Sequence, residues 1–172
     1  VVHTLITTRD LKLVLKEVVE SAINILGADI VTLYQYFQDT GEFETPPIMA
    51  GKIIEPDRMK SRIFGDEVVI KIVEREKPHY ALEAAGDPIM SSTLPRPDWP
   101  MQFVQREGIK SSIGLPLRVG DETVGVMFIN YRAPHLFPDE ERRIIELFAN
   151  QAAVAIQNAR MYEHIHERLE RK

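Results

Sequence analysis

The chain has 172 residues, 44% of them apolar, which is one domain with enough apolar content for a core. Its net charge of −5, with the few basic clusters broken by acids, sets aside a nucleic-acid surface. It contains no cysteine, which excludes disulfides, thiolate metal sites, a cysteine nucleophile and any thioether-linked cofactor within these residues.

Residues 10 to 26 read as an amphipathic helix, with Leu11, Leu15, Val18, Ala22 and Ile25 on one stripe and Val14, Val19, Ile23 and Leu26 widening it. Asp10 or Thr8 is placed to cap it and Gly27 to end it. A β-branched and aromatic strand follows over 30–37. Asp39-Thr40-Gly41 is a turn signal, and a second extended run is expected over 42–50. From 57 to 76 the pattern turns helical, with a break at Gly65-Asp66. Lys77-Pro78 stops it, and 79–82 is a short strand. Residues 83–100, with Pro88, Pro95, Pro97 and Pro100, form a long loop of the kind that often serves as a lid. A short helix over 101–107 ends at Gly108. Two strands, 111–119 and 123–131, make a hairpin across Gly120-Asp121-Glu122. No apolar run of about twenty residues and no signal peptide is present, so no membrane span is expected within the segment.

The last stretch, 138–172, reads as one uninterrupted helix, opened by Pro138 and three acids at its positive dipole end. It carries two apolar seams. One, Ile144, Phe148, Gln151, Ala155, Asn158, Tyr162, Ile165 and Leu169, alternates steps of four and three and is expected to pair with a second copy in a parallel dimer. Gln151 and Asn158 would fix its register. The other seam, Ile145, Ala149, Ala152, Ile156 and Ala159, is expected to cover the domain's own core. The first residue, Val1, and a final stretch fully compatible with helix are read as marks of a fragment of a longer parent.

The element order gives an α+β fold, an antiparallel sheet between helix layers. Two stretches then carry a resemblance to the GAF domain, the small-molecule sensory module of signalling proteins. Lys110-Ser111-Ser112-Ile113-Gly114-Leu115-Pro116-Leu117, continuing through Thr123-Val124-Gly125-Val126-Met127, resembles the family's hairpin. Phe137, Glu141, Leu147, Ala149, Gln151, Ala152, Ala155, Ile156, Asn158 and Ala159 resemble its closing helix. The resemblance spans roughly residues 8 to 165 and implies a central antiparallel sheet, terminal helices on one face, and short helices plus a long loop on the other. It divides the chain into an extension (1–9), a GAF domain (10–160) and the start of a coiled-coil signalling helix (161–172) leading to an output domain outside the sequence. The departures narrow the subfamily. The cysteine of bilin-attaching and sulfoxide-reducing relatives is absent, and the Asn-Lys-Phe-Asp-Glu signature of cyclic-nucleotide binders is replaced by Ile129-Asn130-Tyr131-Arg132.

In the family the ligand lies on the sheet face opposite the terminal helices. Strand alternation places Thr32, Tyr34 and Tyr36 on one face and Val31, Leu33 and Phe37 on the other, and the hydroxyl-bearing set is the better pocket lining. Plain packing of the two tyrosines explains them equally well. Trp99, Met101 and Phe103 stand at the lid end, either closing over a ligand or plugging the loop. His79 would be able to ligate haem iron if it pointed into the cavity, as a histidine does in some relatives, though a lone histidine beside a strand is more often structural. No nucleophile with its base, no metal cluster and no phosphate loop is visible, and the sequence names no cofactor. The expectation is a non-catalytic, cytoplasmic sensory and dimerisation domain of a sensor histidine kinase in a two-component system, with a small molecule as ligand. A diguanylate cyclase or transcriptional regulator as parent, or a dimerisation module without ligand, remains the alternative.

Overall fold

A computed structural model describes residues 8–54, 67–92 and 102–170, and the side chains of those between 10 and 164. Helix α1 spans Thr8–Leu26. Its Leu11, Leu15, Val18, Val19, Ala22 and Leu26 recur at helical spacing and are buried. Gly27, at φ +68°, ends it, and its N–H bonds to the Ile23 carbonyl at 3.0 Å. Strand β1, Ile30–Phe37, reverses at Gly41, whose φ of +73° suits glycine. The extended run expected over 42–50 is cut into β2 (Glu42–Phe43) and β3 (Ile48–Gly51). Pro46 and Pro47 lie between them and have no N–H to give a ladder. Both pieces still pair with the same edge of β1, Phe43 beside Tyr36 and Ile48 beside Leu33.

Next come α2 (Val68–Val73), β4 (His79–Ala81), a single 3₁₀ turn at Ala84–Gly86 and α3 (Phe103–Arg106). The expected helix over 57–76 is described only from Val68. Its Gly65-Asp66 break and the lid prolines Pro95, Pro97 and Pro100 lie outside the described residues. Strands β5 (Ser111–Val119) and β6 (Glu122–Tyr131) form the long hairpin, and α4 runs unbroken over Asp139–Glu170. All pairings are antiparallel, in the order β2-β1-β6-β5-β4, with β3 against β1. Pro116 is tolerated inside β5 because β4 pairs only as far as Gly114, so the missing N–H faces no partner there.

The sheet separates two cores. On one face α1 and α4 cover Val31, Leu33, Ile113, Leu115, Met127 and Ile129. On the other, α2, the 84–90 turn and α3 cover Ile30, Ala81, Val126 and Phe128. The α+β sandwich is the one expected. Phe137 locks the start of α4: its backbone is left-handed (φ 52°), yet its ring is buried against Tyr80, Tyr131 and His135. Burying such a ring stabilises by roughly 1.5–3 kcal/mol, which offsets a left-handed penalty of about 1–2 kcal/mol.

Candidate functional site

The alternation on β1 falls as expected. Val31 and Leu33 enter the helix-side core, while Tyr34 and Tyr36 pack on the opposite face beside Phe43 and Phe128. Thr32 shares that face by alternation and is buried, paired in register with Met49 and Phe128. Tyr34 meets Phe43 and Phe128 edge to face, at centroid distances of 6.3 and 6.5 Å, and Tyr36 leans on Phe43 at 4.8 Å. The Tyr34 ring is partly buried on this face. Burial pushes the pKa of its hydroxyl up, the Glu67 carboxylate pushes it further, and the Arg106 guanidinium opposes both. At neutral pH it is a protonated donor on a partly buried ring, with charges of both signs acting on it.

Phe103, partly buried, packs on this second face too, with the Arg106 guanidinium 5.5 Å from its ring centroid. The structure thus brings Thr32, Tyr34, Tyr36 and Phe103 to one face; Trp99 and Met101 lie outside the described residues. His79 stands apart, at the start of β4. Its Nε2 is 2.9 Å from both carboxylate oxygens of Asp87, whose Oδ1 also accepts the N–H groups of Ile89 and Met90. That nitrogen is engaged in closing the chain's own turn rather than offered to a ligand.

Sequence reasoning passed over Glu67 and Arg106, the charges beside Tyr34, and the buried ion cluster next to them. Glu107 is fully buried. Its Oε1 accepts from the Ile54 N–H at 2.6 Å and from Arg132 Nη2 at 2.9 Å, its carbonyl accepts from Arg132 Nε at 2.8 Å, and Arg106 Nε lies 3.5 Å from its Oε2. This cluster ties the chain after β3 to α3 and to the end of β6. The available signal was the charged pair Arg106-Glu107 at the end of a short helix, where an acid that ends up buried requires a cation.

On α4 the inner seam is buried as expected: Ile145, Ala149, Ala152, Ile156 and Ala159 all enter the helix-side core. Two members of the outer seam face inward. Phe148 and Ala155 also turn into that core, because a step of four residues rotates about 40° toward it from Ile144 and Gln151, whereas a step of three rotates about 60° away. The exposed row is instead Ile144, Leu147, Gln151, Val154, Asn158 and Met161, with Leu147 66% and Met161 57% exposed. Tyr162 is partly buried, and the side chains of Ile165 and Leu169 lie outside the description.

The sequence profile of the GAF domain matches residues 10–156. The chain belongs to the GAF domain family. Several solved structures share its fold. The GAF domain of a phosphoenolpyruvate-protein phosphotransferase from Coxiella burnetii superposes with a TM-score of 0.71 at 25% identity, covering 90% of this chain and 86% of that one. The GAF domain of a two-component sensor histidine kinase from Bacillus halodurans gives 0.66 at 13% identity, covering 92% and 99%. The free methionine-R-sulfoxide reductase of Neisseria meningitidis, solved with its substrate, gives 0.66 at 14% identity, covering 88% and 81%. A comparison with curated protein sequences finds no match. GAF domains are generally regulatory, non-catalytic modules that bind small molecules. Among the described residues no group of three or more His, Asp and Glu side chains is placed to hold a metal ion, and no helix is long and apolar enough to cross a membrane.

Proposed function

We propose that this GAF domain is the sensory and dimerisation unit of a cytoplasmic signalling protein, with a sensor histidine kinase as parent. Its small-molecule ligand enters between the second sheet face and the layer of α2 and α3. The observation that carries this reading is Tyr34: a protonated hydroxyl on a partly buried ring of an aromatic face, with a carboxylate and a guanidinium near enough to act on it. An apolar site with a few placed polar groups is the usual form of a small-ligand pocket. Thr32, Tyr36 and Phe103 line it.

The second part of the reading is transmission. Occupancy on one face changes the packing of α1 and α4 on the other, and α4 passes the change to its pair in a second copy. The exposed 3-4 row from Ile144 to Met161 is the surface that such a copy covers, with Gln151 and Asn158 fixing register. The sensor-kinase GAF domain among the structural neighbours supports this choice of parent.

Native mass spectrometry and thermal-shift screening with nucleotides, haem and small metabolites test the first part. A ligand whose stabilisation is lost in Tyr34→Phe while the variant's own melting is unchanged is the expected result. Retention of every tested compound by that variant overturns the pocket assignment. A second reading, a dimerisation module without ligand, is favoured by the mutual packing of Tyr34, Tyr36, Phe43 and Phe128, which already fills part of the face.

A further inference from the structure

A second opening lies on the helix side of the sheet, away from the Tyr34 face. Where β1 ends, its turn, the β5-β6 hairpin and α4 surround a groove of about 750 Å³, lined among others by Phe37, Asp39, Glu122, Arg160 and Glu163. Its volume is that of a small-molecule site, on the order of 300–1,000 Å³.

Arg160 stacks on the Phe37 ring at 4.3 Å, and its Nε and Nη2 are buried without a hydrogen-bond partner. These two nitrogens form one edge of the guanidinium, the edge whose parallel N–H groups fit both oxygens of a carboxylate. Burial acts against the charge, while Glu122, Glu44, Asp39 and Glu163 favour it, so the side chain remains a cation. A buried donor with no acceptor is unfavourable, and the chain itself leaves the deficit in place. Around this guanidinium the groove carries the three carboxylates Asp39, Glu122 and Glu163, with the His164 imidazole also on its lining.

That distribution selects among ligand chemistries. A plain anion that reached Arg160 would also meet the carboxylates, and a plain cation drawn by the carboxylates would meet Arg160. A molecule carrying both signs at separate ends satisfies each wall.

We propose that this groove is a second ligand site, for a small zwitterion of the amino-acid or dipeptide class. Its carboxylate pairs with the Nε and Nη2 edge of Arg160, and its ammonium lies toward Asp39 and Glu122. The proposal is independent of the Tyr34 pocket, because β1 alternation puts Phe37 and Tyr34 on opposite faces of the sheet.

The test is a titration of the isotope-labelled chain with glycyl-leucine, its N-acetyl form and its C-terminal amide, followed by the Arg160 Nε–H resonance and the backbone amides of residues 37–39. The free dipeptide is expected to give saturable shifts at these positions, and each blocked form to bind at least about tenfold more weakly, about 1.4 kcal/mol. Glu122→Gln, on the opposite wall, is expected to weaken the dipeptide selectively, and Arg160→Lys to abolish it with the rest of the spectrum retained. Absence of a saturable shift, equal binding by the blocked forms, or shifts confined to the Tyr34 face would each overturn the proposal. If Arg160→Lys perturbs the fold, the Glu122→Gln and blocked-peptide arms still decide.

Discussion

Gly114 of β5 lies directly beneath Ile72 of α2: a β-carbon on the glycine would stand 2.7 Å from Ile72 Cδ1 and 2.8 Å from its Cγ1. The glycine of the hairpin motif therefore sets how closely α2 approaches the sheet on the face that holds Tyr34.

Gly114→Ala is expected to destabilise the fold by about 1–3 kcal/mol through overpacking, whereas an alanine at an open strand position would stabilise by about 0.5–1 kcal/mol. Ile72→Val removes Cδ1, so the same glycine substitution in that background should cost less. Urea denaturation of the two single variants and the double variant measures the coupling. Simple additivity would show that the contact does not govern the layer.

Asp87→Ala should cost about 1–2 kcal/mol at neutral pH, because the N–H groups of Ile89 and Met90 and the ring of His79 all lose their acceptor. Burial tends to raise the Asp87 pKa, but the Met90 N–H, His79 and the Ile89 N–H outweigh it and hold the pKa below the usual carboxylate range. A lowered folded pKa means that the unfolded chain binds the proton more readily. The contribution is thus present above the ordinary carboxylate pKa near 3.8 and is lost as pH falls through the folded value. Thermal melts from neutral to acid pH should fall more steeply for the native chain than for Asp87→Ala.

Two tyrosines should resist alkali. Burial raises the pKa of Tyr34, and burial together with Glu141, to which the Tyr131 hydroxyl donates at 3.0 Å, raises that of Tyr131. Raised folded pKa values give stability that is present below the unfolded value of 10.0 and lost as pH rises above it. An absorbance titration at the tyrosinate band should show a late phase coinciding with unfolding. Tyr34→Phe and Tyr131→Phe should each shrink that phase by one ring, and its absence in the native chain would count against the burial argument.

Leu147 and Phe148 are neighbours in sequence with opposite roles. Phe148→Ala is expected to lower stability by about 3–5 kcal/mol, since it empties part of the helix-side core. Leu147→Asp, at an exposed position, should leave the monomer's melting nearly unchanged and dissociate the proposed dimer in sedimentation. Dissociation by neither Leu147→Asp nor Val154→Asp would remove the outer row from any interface.

The long elements were legible because each announces itself by period. Helix α1 repeats at three and four residues, β1 alternates, and the β5-β6 hairpin brackets a glycine turn. The split of the 42–50 run came from Pro46 and Pro47, which interrupt a ladder without disturbing the strand-like composition around them. The face assignment of Thr32, Tyr34 and Tyr36 followed from alternation alone. Glu67 and Arg106 did not, because they sit on short segments whose partners are distant in the chain. On α4 two apolar stripes lie side by side, and the residues between them, Phe148 and Ala155, belong to either seam until the sheet fixes the helix's rotation.

Most of α4 that meets α1 and the sheet does so through alanine: residues 149, 152, 153, 155 and 159 are all buried there, with Ile145, Phe148 and Ile156 as the large exceptions. Methyl groups make low ridges, so neighbouring angular settings of the rod interlock only weakly and differ little in packing energy. The inner surface of α4 therefore behaves as a bearing, with three bulky side chains acting as detents that give its rolling a small number of stops.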